Sequence, residues 1–420
     1  MNKTEKKLVP ELRFPEFIND EEWEIKEVED FFSVGSSKRV LQKDWTNKGV
    51  PFYRTRELVS LSKHEPFSSE IFVSENLFSH LSENYGIPTE GDFLVSGVGT
   101  LGICYQVKKN DKFYFKDGNV LWFKINEGIF SSYFKFCFQS DFIQNQILAQ
   151  TSKSTVGTYT IQNAKKTKFL YPFSLNEQQK IADCLSSLDE LITAHNNKLE
   201  ALKNHKKGLL QNLFPQEGQK VPNYRFPEFV NDGEWEEKTL GNIGNASMCK
   251  RIFKEETTNN VNDIPFYKIG TFGKSPDSFI PKEIYEDYKK RFSFPKKGDI
   301  LISASGTIGR LVVYNGEPAY FQDSNIVWID NKEDKVINNF LFYIYSLLNW
   351  QTSDGGIIQR LYNSDLKNMK IVFPKNKIEQ QKIADCLISV DNLITSQSEK
   401  IEQLKAHKKG LMQGLFPKID

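Results

Sequence analysis

Cysteine is scarce and unpaired in this sequence. Five occur among 420 residues (Cys104, Cys137, Cys184, Cys249, Cys386), none in a Cys-x-x-Cys spacing. That excludes a disulfide framework, and with only five scattered histidines it leaves no clustered ligand set for zinc. Charge of one sign is also lacking. The formal net charge is +1, so no global field draws the chain to nucleic acid or to a membrane, and any phosphate binding must come from local patches. No long apolar run marks a signal peptide or a membrane span. These absences predict a reduced, soluble, cytoplasmic protein without membrane association. A length of 420 residues exceeds what one hydrophobic core serves and predicts two or three domains.

What the sequence does contain, it contains twice. Asn176-Glu-Gln-Gln-Lys-Ile-Ala-Asp-Cys-Leu185 returns as Ile378-Glu-Gln-Gln-Lys-Ile-Ala-Asp-Cys-Leu387. Both copies continue to His-Lys-Lys-Gly-Leu and close on Leu-Phe-Pro, at Leu213–Pro215 and Leu415–Pro417. Roughly two-thirds of these positions are identical, and a period of roughly 200 residues is a duplicated domain, not a solenoid unit. Ile181, Leu185, Leu188, Ile192, His195, Leu199, Leu202, Lys206, Leu209 and Leu213 alternate steps of four and three, and Ile383 to Leu415 repeat the pattern. That is an a/d heptad seam without internal proline, predicting two helices each about 50 Å long. A lone helix with this stripe would leave aliphatics in water, so each copy is the simplest partner for the other. Globular segments inserted between them favour an antiparallel pairing. The polar seam positions, His195 with Gln397 and Lys206 with Lys408, recur and are candidates for fixing register.

The globular segments repeat more loosely. Arg13-Phe-Pro-Glu-Phe17 with Trp23 returns as Arg225-Phe-Pro-Glu-Phe229 with Trp235, and predicts an extended clip on a domain surface. Pro51-Phe-Tyr53 and Pro265-Phe-Tyr267 read as short strands. A Gly-Asp pair, an apolar strand and a Gly-Thr loop follow, at Gly91–Gly102 and Gly298–Gly309. Further strands run from Phe115 to Ile125 and from Phe321 to Ile329, then one aromatic helix in each half, at Ser131 to Ala149 and Asn338 to Asn349. The fold class is therefore mixed α/β: two globular domains alternating with two long helices that pack as an antiparallel coiled coil, with an internal pseudo-two-fold.

Motifs for chemistry are few. Gly97-Val-Gly-Thr-Leu-Gly102 matches the dinucleotide-binding fingerprint, but its duplicate carries Ala304 for the first glycine and no helix follows, so both copies read as strand–turn–strand hairpins. Glu24-Ile-Lys26, with Asp20 upstream, has the acid–x–lysine spacing of some metal-dependent nucleases, amid residues more consistent with a solvated surface. There is no P-loop, nucleophile elbow, or the Asn/Asp-Pro-Pro-aromatic tetrapeptide that an amino-directed DNA methyltransferase uses to hold a flipped base. The chain reads as non-catalytic, without metal or bound cofactor. Local basic groups remain: Lys38-Arg39 and Lys250-Arg251 at matching positions, Arg54 and Arg56 against Lys268, Lys165-Lys166-Thr-Lys168 and Lys289-Lys290-Arg291. Such groups neutralise phosphates, and arginine reads guanine in the major groove.

The repeated Glu-Gln-Gln-Lys-Ile-Ala-Asp helix that closes on Gly-Leu-x-Gln-x-Leu-Phe, the two tryptophans, the Lys-Arg pairs, the Pro-Phe-Tyr strands and the Gly-Asp…Gly-Thr-x-Gly hairpins together resemble the DNA specificity subunit of Type I restriction–modification systems. The resemblance spans nearly the whole chain. It implies residues 1–175 as a first target-recognition domain, 176–215 as a first spacer helix, 216–377 as a second recognition domain and 378–420 as a second helix. It further implies double-stranded DNA as partner, each domain reading one half of an interrupted site. Two methyltransferase subunits would dock on the helices, carrying S-adenosylmethionine and methylating adenine N6, with restriction subunits completing the complex. On this reading the expected DNA contacts are Lys38, Arg39, Arg54, Arg56, Gly99, Thr100, Thr155 and Tyr159 in the first domain. In the second they are Lys250, Arg251, Lys268, Thr307, Arg310, Gln359, Arg360 and Asn363. The competing expectation is a coiled-coil interaction scaffold that binds no DNA.

Overall fold

The structure is a computed structural model, and it describes residues 8–62, 71–151, 157–350 and 360–419. In the first half, β1 (Glu24–Glu27), α1 (Val28–Phe31), β2 (Phe32–Gly35), β3 (Trp45–Thr46), β4 (Val50–Tyr53), α2 (Thr55–Ser62), β5 (Phe72–Val73), α3 (Glu75–Tyr85), β6 (Phe93–Ser96), β7 (Cys104–Gln106), β8 (Tyr114–Phe115), β9 (Val120–Ile125), α4 (Ser131–Phe138), α5 (Asp141–Thr151), α6 (Ile161–Lys165) and β10 (Lys168–Tyr171) precede the long helix α7 (Leu175–Leu213). The second half runs β11 (Glu236–Thr239), β12 (Gly244–Ser247), β13 (Ile264–Tyr267), β14 (Phe279–Ile280), α8 (Lys282–Arg291), β15 (Ile300–Ser303), β16 (Leu311–Val313), β17 (Tyr320–Phe321), β18 (Ile326–Asn331), α9 (Asn338–Leu347), α10 (Asn363–Asn368), β19 (Lys370–Phe373) and α11 (Lys377–Leu415).

The two halves build corresponding sheets, the smaller one having four strands in the first half (β3-β5-β4-β8) and three in the second (β14-β13-β17). An antiparallel sheet has the order β2-β9-β6-β7 in the first and β12-β18-β15-β16 in the second. A smaller sheet carries a parallel pair, β4 with β8 and β13 with β17. A two-stranded ribbon, β1 with β10 and β11 with β19, ties the start of each domain to its end. The central strand β6 is apolar at consecutive positions because both of its faces are covered. Phe93 and Val95 enter the core formed with α4, while Leu94 joins Leu58, Tyr105 and Phe115 on the other side. In β15, Ile300 and Ile302 face one core and Leu301 the other. The repeated Gly-Asp ahead of β6 is structural: buried Asp92 accepts hydrogen bonds from Trp122 Nε1 and Ile125 N, each at 2.9 Å.

The aromatic helix expected over Ser131 to Ala149 is two helices. Ser140-Asp141 starts a new one, with Gln144 N–H donating to the Ser140 carbonyl, and the Gln144 side chain closes the end of α4 by donating to the Phe138 carbonyl at 2.8 Å.

The chain divides into two compact units, residues 1–196 with 399–420 and residues 197–398, so the division falls in the middle of each long helix. In the first unit, Ile181, Ala182 and Leu185 of α7 share a core with Leu415 and Phe416 of α11, and Lys408 Nζ lies 2.5 Å from Asp189. As one helix advances the other retreats, so the two halves run antiparallel. In the second unit, Ile383, Ala384 and Leu387 share a core with Leu213 and Phe214, and Lys206 Nζ lies 2.6 Å from Asp391. The seam lysines are thus matched to acids, and each lies over a ring of its own unit, Lys408 over Phe136 and Lys206 over Tyr343.

The clip and the first turn of each long helix are locked together. Arg13 donates to both oxygens of Glu177 at 2.8 and 2.9 Å, and Trp23 Nε1 donates to the same carboxylate at 3.2 Å. Arg225 and Trp235 do the same to Glu379. Gln178 accepts from Phe130 N and donates to the Pro172 carbonyl; Gln380 accepts from Ile337 N and donates to the Pro374 carbonyl. The Glu and first Gln of the duplicated motif therefore recur because they hold each domain to its helix.

Candidate nucleic-acid interface

Four segments converge in each domain. The first is the end of the parallel strand: Tyr53 and Tyr267 carbonyls accept from Lys116 N and Gln322 N at 2.8 and 2.9 Å. The second is the hairpin loop, residues 97–102 between β6 and β7 and 304–309 between β15 and β16. Ser96 braces it, donating to the Thr100 carbonyl at 2.5 Å and accepting from Ile103 N at 2.8 Å; Ser303 does the same with Thr307 and Arg310. Gly99, Gly102, Gly306 and Gly309 have φ of +81°, +69°, +65° and +81°, the left-handed region that favours glycine. Gly97 has no positive φ, but a Cβ there would lie 2.8 Å from the Tyr159 carbonyl, so the first domain needs glycine where the second carries Ala304. The third segment is the turn Asp117-Gly-Asn119 or Asp323-Ser-Asn325, whose asparagine carbonyl accepts from Gly97 N or Ala304 N at 2.8 Å. The fourth crosses the loop: Thr158 bridges Val98, and Arg360 bridges Ser305.

The Lys-Arg pairs flank this frame against matching partners. The buried Tyr114 hydroxyl donates to the Lys38 carbonyl at 3.2 Å, and Tyr320 donates to Lys250 at 3.0 Å. Lys38 Nζ lies 5.1 Å over the Tyr85 ring and Lys250 Nζ 5.3 Å over Phe292, each ring at the end of a helix, α3 or α8. Arg39 is 3.9 Å from Asp117, and Arg251 is 2.9 Å from Asp323, both through Nε. All four cations are exposed.

The other expected contacts divide. Gly99, Thr100, Thr307 and Asn363 are exposed on or beside the frame. Arg54 grips Glu57 through Nε and Nη2, at 3.2 and 2.7 Å, and Arg56 reaches the same carboxylate at 3.2 Å. Burial pushes the Glu57 carboxyl up, but the Arg54 side-chain and backbone hydrogen bonds and the Arg54 charge outweigh it and leave it below the ordinary value. Lys268 pairs with Asp277 at 2.8 Å. Arg310 Nη1 donates to the Phe272 carbonyl and Arg360 Nη2 to the Ser324 carbonyl, each at 2.9 Å. Tyr159, expected at the DNA, is a core residue. It is fully buried, its hydroxyl 2.7 Å from Thr167 Oγ1, because the backbone bond from Tyr159 N to the Gly97 carbonyl turns the ring inward. Thr155 and Gln359 lie outside the described residues.

Sequence reasoning missed Glu57, Tyr114, Tyr320 and the bracing serines, Ser96 and Ser303. The recurrence of Asp-x-Asn at Asp117 and Asp323 was the available signal for the arginine anchors. Among the described residues no cluster of His, Cys, Asp or Glu forms a metal site, and Lys26 pairs with Glu24 on the surface strand β1. No helix among the described residues is long and apolar enough to cross a membrane.

Fold and site together define a duplicated α/β domain, each copy anchored to the start of its own long helix. A sequence profile of the Type I restriction modification DNA specificity domain matches residues 20–204 and 232–406. The chain belongs to that family and is a specificity subunit of the Type I restriction–modification kind. It is 54% identical over 160 residues to a putative type I restriction enzyme specificity subunit of Haemophilus influenzae, a match covering 38% of this chain and 41% of that relative. It is 24% identical to the putative MjaX specificity subunit of Methanocaldococcus jannaschii over 94% of this chain and 93% of the relative. Its fold is that of the Type I S subunit from M. genitalium, with a TM-score of 0.64 at 16% identity, covering 98% of this chain and all of that one. A chain from a structure of a type I R-M system gives a TM-score of 0.54 at 17% identity, covering 94% of this chain and 97% of that one.

Proposed function

We propose that each globular domain reads one half of an interrupted double-stranded DNA site. The long helices set the separation of the halves and dock two adenine-N6 methyltransferase subunits. The methyltransferase carries S-adenosylmethionine and flips the base. This chain supplies no catalytic group and holds no cofactor, and restriction subunits join the assembly. The reading rests chiefly on one contrast between the halves. The four-segment frame is the same, yet the side chains it presents differ: Arg54 and Arg56 against Lys268 and Gly270, Ile103 against Arg310, Thr158 against Arg360. The helices, by contrast, expose many of the same residues twice, including Asp183 and Asp385, Leu191 and Leu393, His205 and His407, Gln211 and Gln413. Divergent loops suit two different half-sites, and the exposed residues that recur on both helices suit two copies of one partner.

The test is methylome sequencing of a cell carrying this chain and its neighbouring methyltransferase, against the same cell lacking only this chain. The expected result is loss of N6-methyladenine from one two-part motif, with a swap of residues 221–375 changing one half of it. Unchanged methylation with the methyltransferase expressed would overturn the reading and leave an interaction scaffold.

A further inference from the structure

We propose that the Lys38-Arg39 and Lys250-Arg251 pairs are phosphate clamps common to both domains and carry no base specificity. Discrimination is then left to the frame positions at which the halves differ. The inference rests on the reading that the two domains address different half-sites.

Its basis is the internal comparison. If two domains read different bases, a group with the same residues and the same geometry in both cannot be what distinguishes them. The pairs meet that condition in residue type and in the partners they face, the arginine contact being longer in the first domain. In each, a buried tyrosine hydroxyl holds the lysine carbonyl, an aromatic ring lies under the ammonium, and an aspartate of the neighbouring turn faces the arginine Nε, at 3.9 Å for Arg39 and at hydrogen-bond distance, 2.9 Å, for Arg251. Neither lysine has an acidic partner among the described residues. A lysine ammonium is a compact point charge without the planar fork that reads a base edge, and that suits a phosphodiester oxygen. With one aspartate against two cations, each group keeps a net charge of +1. Asp323 orients Arg251 by a hydrogen bond and Asp117 draws Arg39 by its charge before DNA arrives, which lowers the ordering cost of binding. Beside this constant group lie the variable cations Arg54, Arg56, Arg310 and Arg360, each held by a carboxylate or a backbone carbonyl.

The experiment uses the full chain in complex with its methyltransferase. The probes are a duplex carrying the motif found in the methylome and a random duplex of equal length. Affinity is measured by fluorescence anisotropy between about 50 and 200 mM salt. Arg39→Ala and Arg251→Ala are each expected to weaken binding to both duplexes by the same factor. Each is expected to lower the slope of log affinity against log salt by about one, with the methylated motif unchanged. Arg39→Lys, which keeps the charge, restores the slope, and unchanged circular dichroism shows that the variants fold. Arg360→Ala, by contrast, relaxes one half of the motif only. A change in one half of the motif on losing Arg39 or Arg251 would overturn the inference while the proposed function stands. Unchanged affinity and slope would also overturn it, by placing the pairs away from DNA. Absence of any motif with the unaltered chain would defeat the proposed function itself.

Discussion

Glu177 and Glu379 show how much one buried carboxylate can organise. Each is within 1% of complete burial and accepts from an arginine fork and a tryptophan N–H. Removing the acid strands an arginine whose side chain is 5% exposed at Arg13 and 8% at Arg225. Glu177→Ala is therefore expected to cost about 3–5 kcal/mol in denaturant unfolding, whereas Glu24→Ala, which breaks only a surface pair, costs under about 1 kcal/mol. Tyrosines give a second residue-scale expectation. Burial pushes the Tyr114 hydroxyl up to about 12, pushes Tyr159, Tyr320 and Tyr345 higher still, and raises Tyr133 well above its ordinary value. A folded value above the unfolded one of about 10 means the folded chain holds more protons between the two. Stability is then fully present below about pH 10 and declines as pH rises through the folded values. In an alkaline titration, tyrosinate absorbance from these residues is expected to rise together with loss of circular dichroism; ionisation well before unfolding would contradict it.

At the scale of elements, the long helices are held by packing and register together. Leu185 and Leu387 are fully buried, while Lys408–Asp189 and Lys206–Asp391 are partly exposed ion pairs at equivalent places. A heptad stripe gives the apolar contacts but tolerates a slip by one heptad, and matched charges at one level do not. A double-mutant cycle on Lys408→Met and Asp189→Asn is expected to show a coupling of about 1 kcal/mol. Coupling near zero would reduce these lysines to solvated edges. The hairpins were readable because glycine with positive φ leaves a fixed mark in sequence. The broken aromatic helix was not, because Gln139 and Ser140 do not forbid a helix, and the break is accompanied by side-chain bonds of Gln144 to the Phe138 carbonyl and to the distant Gly102 carbonyl.

For the whole molecule, the ends of the chain complete the first unit. Leu12 N donates to the Gly414 carbonyl at 2.8 Å, and Phe416 packs edge-on against Trp23 with centroids 6.0 Å apart. The second unit makes the same contacts with the helix that immediately precedes its clip: Tyr224 N donates to the Asn212 carbonyl at 2.9 Å, and Phe214 meets Trp235. Deleting residues 411–420 removes Leu415 and Phe416 from the first core, where one such aromatic alone is worth about 3–5 kcal/mol. Limited proteolysis is expected to degrade residues 8–196 and spare residues 221–398. Equal resistance of both would show that the terminal segment is dispensable.

Sequence alone determined the duplication, the two long helices, the glycine hairpins and the family resemblance, because each is a local pattern or a repeated one. Tertiary structure decided which half of each helix completes which domain, since a heptad period is the same whichever way the partner runs. It also decided which expected contacts reach the surface. Tyr159 and Thr158 are neighbours in the chain, yet one lies in the core and the other bridges the hairpin loop. Glu57, which organises Arg54 and Arg56, looks like any surface acid in sequence. Its burial comes from β6 and β7 packing against α2, contacts between residues too far apart to leave a local signature.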